Sequence, residues 1–175
     1  MNYICLGTLS KDKLHMSIKL YRYRSNLKGL LFYISYKIAH STCKNKFIHL
    51  ILFPIWLTYR LIFNWILGID ISEYTQIGKG LVVWHGMGLV INPLSKIGND
   101  VILRHNTTIG SARHDNTAPI IEDRVDIGCG VIIIGAITIG HDSIIGAGSV
   151  ITKSIPPNSV VVGNPGRIIR TIELN

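Results

Sequence analysis

Two periodicities divide the chain. From Leu14 to about Gly68, apolar residues recur at three- and four-residue steps, as at Ile18, Tyr21, Leu27, Leu31, Ile34 and Ile38, which predicts helix. A break is expected over 41–46. A second helical stretch starts at Phe47, is predicted to kink at Pro54 and stops near Gly68. Beyond that point the period becomes six. Aliphatic residues fall at Ile71, Ile77, Val83 and Leu89, slip by two residues near Leu94 and Ser95, and resume at Ile97, Leu103 and Ile109. After a polar stretch they return at Ile121, Ile127, Ile133, Ile139, Ile145 and Ile151, and glycine follows many of them. Neither a helix nor an alternating strand has this period. A β-solenoid does, with one short strand and one turn per hexapeptide and three hexapeptides per triangular coil. The chain is therefore read as mainly β: a hexapeptide solenoid over 69–167, preceded by a helical segment over 1–68 and closed by a tail over 168–175. Pro156 and Pro157 cannot continue a ladder, and the tail is expected to cover the last coil edge.

Charge reinforces the division. The net charge is +8. Residues 1–70 hold ten Lys and Arg against Asp12 and Asp70, whereas 71–175 carry eight of each sign. The surplus thus belongs to the helical segment, which is also rich in aromatic residues. Two readings follow: these helices pack on the solenoid and on symmetry mates, or residues 11–67 rest on an anionic membrane. No nucleic-acid partner is expected. The three cysteines, Cys5, Cys43 and Cys129, lie too far apart for a disulfide framework or a zinc cluster, which favours a reducing, cytoplasmic setting. No signal peptide is read at the start. The most apolar stretch, 50–59, is too short for a membrane span of about 20 residues.

The six-residue period resembles the hexapeptide-repeat acyltransferases, whose coils wind left-handed. Leu67-Gly-Ile-Asp-Ile71, Ile77-Gly-Lys-Gly-Leu81 and His85-Gly-Met-Gly-Leu-Val-Ile91 are similar to the active-site region of serine O-acetyltransferases. Gly146-Ala-Gly-Ser-Val150 and Gly163-Asn-Pro-Gly-Arg167 are similar to that family's coenzyme A-binding end. The strings His85 to Ile91 and Arg104 to Gly110 resemble the branch that acetylates bacterial exopolysaccharide sugars, of the colanic acid type. Trp84 stands where serine O-acetyltransferases have Asp, and Ala118 precedes Pro119 where they have His. The Arg113-His114 pair is displaced within its loop.

The resemblance implies a left-handed parallel β-helix, a homotrimer, acetyl-CoA as co-substrate and no metal. It makes His85 the general base on an acceptor hydroxyl and Asp70 the carboxylate that orients it, the division of labour that direct acyl transfer requires. Val83 and Leu103 share a face one coil apart, so His105 is expected to stack about 4.8 Å from His85. There it either lines the site or forms a structural His–His pair. The polar stretch 111–118 is expected to leave the coil, with Arg113 and His114 either contacting the acceptor or solvated. Gly110, Ser111, Cys129, Gly130, Ala147 and Gly148 are candidates for the pantetheine groove. Lys153, Arg167 and Arg170 are candidates for the coenzyme A phosphates, with Arg167 preferred. Cys129 has no base near it in sequence and reads as a small turn residue, not a nucleophile. The acceptor is expected to be a sugar hydroxyl, lipid-linked or small, at the inner face of the cytoplasmic membrane. Serine is the alternative acceptor. A zinc site built on His85, His105 and His114, and a non-catalytic scaffold, are the further readings.

Overall fold

A computed structural model describes residues 26–42, 46–112 and 117–172. Its centre is the left-handed parallel β-helix that the six-residue period and the family resemblance imply. The first face stacks β1 (Ile69–Ile71), β4 (Leu89–Ile91), β7 (Thr108–Gly110), β10 (Ile132–Ile134) and β13 (Val150–Ile151). The second stacks β2 (Gln76–Ile77), β5 (Lys96–Ile97), β8 (Ile120–Ile121) and β11 (Thr138–Ile139). The third stacks β3 (Val82–Trp84), β6 (Ile102–Arg104), β9 (Asp126–Ile127), β12 (Ile144–Ile145) and β14 (Ser159–Val162). On that face β15 (Arg167–Thr171) adds antiparallel to β14, so the tail covers one edge of the last coil.

Aliphatic columns run through the core, each residue stacked on its counterpart in the next coil. Ile71, Ile91, Ile109, Ile133 and Ile151 form one column; Val83, Leu103, Ile127, Ile145 and Val161 form another; all are buried. β-branched side chains suit this role because their stiff rotamers match the pleat and let each residue rest on its counterpart in the next coil.

Registers locate the irregularities. Ile71 pairs with Ile91 and Val83 with Leu103, whereas Ile91 pairs with Ile109. The first coil is therefore two residues longer than the ideal eighteen, and the extra pair lies in the corner formed by residues 85–88. This corrects the slip expected near Leu94 and Ser95. Leu89 and Ile91 both point inward around the exposed Val90, so counting sixes from Val83 lands on a buried residue and hides the insertion. A second insertion, between β7 and β8, sets Ile97 against Ile121 and contains the polar loop.

The helical segment comprises α1 (Leu27–Thr42), α2 (Lys46–Tyr59) and a π-helical continuation, Arg60–Ile66. Its inner side closes the open edge of the first coil. Strands at that edge present carbonyls with no next coil to bond. Tyr59 Oη donates to Ile71 O at 2.7 Å, Lys37 Nζ to Ile77 O at 2.9 Å, Tyr33 Oη to Gly78 O at 3.2 Å and Asn26 Nδ2 to Val83 O at 2.6 Å; Tyr36 Oη donates to Thr75 O. Burial pushes the Tyr59 hydroxyl well above the usual tyrosine range, which keeps it a donor. The structure fixes the packed side of α1 and changes one expectation. The aliphatic stripe Leu27, Leu31, Ile34 is the exposed side of α1, and Gly29, Phe32, Tyr36 and Ala39 are the packed side. The apolar run is also longer than 50–59: helix continues through Pro54, and His49–Ile66 meets the length and composition of a membrane span.

Candidate active site

The corner at 85–88 joins the third face to the first. His85, Gly86 and Gly88 all have positive φ, at 66°, 58° and 67°. Glycine is required twice for steric reasons as well. A Cβ on Gly86 would sit 2.7 Å from Ile69 Cδ1, and one on Gly88 would collide with Asn106 Oδ1. His85 itself is held in the left-handed region, where non-glycine residues are uncommon. Its backbone is pinned: its carbonyl accepts from Met87 N at 2.8 Å and from Lys28 Nζ at 3.2 Å, while Gly88 N donates to Gly68 O at 2.9 Å. The consequence is a rigid corner that presents the imidazole outward, exposed on the single chain.

The neighbouring rung brings His105 beside it. Val83 pairs with Leu103 and Trp84 with Arg104, and the two imidazole centroids lie 5.9 Å apart at an interplanar angle of 75°. His105 is half-buried, and its Nδ1 is buried without a hydrogen-bond partner. A buried polar atom left unpaired is costly, and its usual remedy is a ligand or a water.

The same corner continues up the solenoid. Two residues past each inward aliphatic of the third face stand His85, His105, Cys129, Ala147 and Gly163. Backbone bonds tie the column together: Gly130 N donates to His105 O at 3.0 Å and Gly148 N to Cys129 O at 2.9 Å. A Cβ on Gly148 would meet nothing within 4 Å, so open space borders this end. The Gly163–Gly166 turn caps the column, with Gly166 N donating to Val150 O at 2.8 Å, and Arg167 leaves it opposite Val162. Cys129, Gly130, Ala147, Gly148 and Arg167 thus share one column with His85 and His105.

Other candidates fall elsewhere. Gly110 and Ser111 lie at the opposite end of the first face, in a groove of about 500 Å³ lined also by Arg60, Asp70, Ser72, Asn92 and Thr108. Lys153 follows β13 at the corner on that same far side, and Arg170 sits farther along β15 opposite Val160. Asp70 is outward on β1, two residues beyond Gly68, and shares the groove with Arg60. Among the described residues no hydrogen bond joins its carboxylate to the His85 ring. Arg113 and His114 lie outside the described residues.

Sequence reasoning missed Asn26 and Lys28, which secure the strand and corner that carry His85, and it missed Arg60. Arg60 Nη2 pairs with the buried Glu73 at 3.0 Å, Trp56 Nε1 donates to the same carboxylate oxygen at 3.1 Å, and the guanidinium stands 5.4 Å from the Trp56 ring centroid. The signal available was Glu73 itself, an acid in the first coil that requires cationic partners once buried.

Comparison with known proteins extends this geometry. No protein-family model matches the chain. A protein named as the colanic acid biosynthesis acetyltransferase WcaB of Escherichia coli K12 is 36% identical over 148 residues, spanning 82% of this chain and 91% of that protein. A serine acetyltransferase of Helicobacter pylori is 33% identical over 147 residues, 81% of each. The crystal structure of serine acetyltransferase in complex with coenzyme A from Brucella abortus superposes with a TM-score of 0.71 at 32% identity; it covers 85% of this chain, which spans only 58% of that one. Fold, repeat and relatives agree that the chain belongs to the hexapeptide-repeat acyltransferases, in the group that holds both serine acetyltransferases and the WcaB acetyltransferase.

Proposed function

We propose that the protein transfers an acetyl group from acetyl-CoA to a sugar hydroxyl in surface polysaccharide synthesis. The observation that carries this reading is the corner column, in which two imidazoles meet and a line of small residues runs from them to Arg167. His85 takes the proton of the acceptor hydroxyl, whose oxygen attacks the thioester carbonyl. The tetrahedral intermediate collapses with loss of the coenzyme A thiolate, which recovers the proton from the imidazolium. His105, with its unpaired buried nitrogen, contacts the thioester carbonyl or the acceptor. Small residues at 129, 130, 147 and 148 leave space for the pantetheine arm, and Arg167 meets the phosphates. Asp70 orients the base in the occupied site, since catalytic hydrogen bonds often tighten only when substrate is bound. Exposure of His85 on the single chain fits a cyclic trimer in which a neighbouring copy completes the site. A cytoplasmic setting is part of this reading, supported by its need for acetyl-CoA.

Serine is the second acceptor to weigh, because the Helicobacter pylori relative spans most of both chains. Trp84 and Ala118 speak against it, as they replace residues that the serine enzymes use. The test is thiol release from acetyl-CoA by the full chain across a panel of nucleotide sugars and serine, with mass spectrometry of the ester. Turnover of a sugar with higher kcat/KM than serine supports the proposal. Turnover of serine with every sugar inert overturns the acceptor assignment, and no thiol release with any acceptor overturns the activity.

A further inference from the structure

The helix formed by α2 and its π-helical continuation is polar on its inner side and apolar on its outer side. Inward go His49, Trp56, Tyr59, Arg60 and Phe63, with the tips of Trp56, Tyr59 and Arg60 bonded to Glu73 and Ile71. Outward, from residue 50 to 66, stand Leu50, Ile51, Phe53, Pro54, Ile55, Leu57, Thr58, Leu61, Ile62, Trp65 and Ile66. Thr58 is the one polar residue among them, and its hydroxyl is spent on Pro54 O at 2.7 Å. Leu50 is 75% exposed, Ile51 73%, Trp65 83% and Ile66 73%. An ordinary surface helix shows the reverse arrangement. The apolar face continues onto α1 through Leu27 and Leu31, which with Ile62 and Leu67 line a groove of about 430 Å³. A contiguous patch of this kind marks a docking surface.

Charge decides what docks there. No Asp or Glu occurs from residue 13 to 69, a stretch that holds nine Lys and Arg. A second copy of this segment would repeat its positive charge, with no acid between residues 13 and 69 to balance it. An anionic bilayer supplies both an apolar layer for the outer face and negative headgroups for the cations. We propose that this outer face seats the protein in the interface of an anionic membrane, with the helix lying in the membrane plane. It lies there instead of crossing, because Tyr59, Phe63 and the Glu73 cluster fasten its inner side to the solenoid. His85 sits next to the same support, since Asn26 and Lys28 at the start of α1 hold Val83 O and His85 O. The seat therefore holds the active corner at a fixed offset from the bilayer, where a lipid-linked acceptor is presented.

The surface proposal stands on the helix alone, so its failure leaves the acetylation reading intact. The test is vesicle flotation of the full chain with phosphatidylcholine vesicles, with and without phosphatidylglycerol, alongside its mass in solution. Binding is expected with phosphatidylglycerol and weakened by salt. Leu50→Gln/Ile51→Gln/Trp65→Gln should lower it by about tenfold or more while keeping the melting temperature and thiol release on a soluble acceptor. A wild-type chain that does not float, or a variant that floats as well as wild type, overturns the proposal. So does a fall in assembly mass caused by the triple substitution, which would make the face a contact between copies.

Discussion

Replacing His85 with Asn separates the chemistry of the corner from its architecture. Residue 85 has φ of 66°, a conformation in which alanine is strained and asparagine is among the better tolerated residues. His85 is exposed, and no hydrogen bond from its ring holds the fold among the described residues. Asn therefore keeps the left-handed corner, and the stability change should stay within about 0.5 kcal/mol, or about 1–2 °C in Tm for a chain of this size. Loss of a general base is worth about 10²–10⁴ in rate, or about 2.7–5.5 kcal/mol of transition-state stabilisation. The assay is thiol release at saturating acetyl-CoA, with coenzyme A affinity by calorimetry and a melt on the same sample. We expect kcat to fall by at least about 10² at unchanged coenzyme A affinity and Tm. A variant that keeps more than a tenth of the wild-type kcat/KM would refute the assignment of the base. A large fall in Tm would refute the claim that the corner needs only its backbone conformation.

Further outcomes test the groove, the core and the surface ladders. Ala147→Trp should weaken coenzyme A by about tenfold or more in calorimetry with little change in Tm, because Ala147 is exposed beside the open space at Gly148; unchanged affinity would move the cofactor off this column. Ile133→Ala removes a fully buried side chain stacked between Ile109 and Ile151 and should cost about 2–5 kcal/mol in urea unfolding, with Ile133→Val at about 0.5–1.5 kcal/mol. The Arg124 hydrogen bond holds the Asp142 carboxyl below its usual range, and the backbone N–H of Asn99 does the same for Asp123. Both contribute stability above about pH 4 that is lost as pH falls through their lowered folded-state values, so Arg124→Gln should shallow the acid limb of a Tm-against-pH curve.

The solenoid was readable because every coil sets the same problem and solves it with the same residue type. An aliphatic every six positions can stack only if the chain turns every six positions, so the period carries the fold without any long-range information. The insertion at residues 85–88 was misplaced for a local reason. Strand β4 buries both Leu89 and Ile91, and the six-residue count accepts either. The discriminating signal was present in Gly86-Met87-Gly88, two glycines bracketing one residue directly after a strand, which mark a tight turn. Counting inward residues found the His85–His105 rung even so, since Val83 and Leu103 precede the two histidines by the same step. The same count sets Gly110 and Ser111 apart from that rung, since they follow Ile109, one face beyond Leu103.

The helical segment shows a different limit. Period told where α1 and α2 run but not which side packs, since both sides are apolar and hydrophobicity alone gives no preference. What breaks the tie is hydrogen bonding. The first coil of a parallel solenoid exposes carbonyls on all three faces, and a helix laid across them needs donors at the ends of apolar side chains. Tyr33, Tyr36, Trp56 and Tyr59 are such side chains, and each turns inward to Gly78, Thr75, Glu73 or Ile71. Leu and Ile offer no donor, and Leu27, Leu31, Ile34, Leu50, Ile51, Leu61 and Ile62 are left outside, while Phe32 and Phe63 fill the space beneath the tyrosines. The stripe with polar tips is therefore the one that caps the coil, and the purely aliphatic stripe is the one free to meet a surface with no hydrogen bonds to offer. A lipid bilayer is such a surface, so the hydrogen bonding that caps the first coil is also what leaves the proposed membrane face apolar.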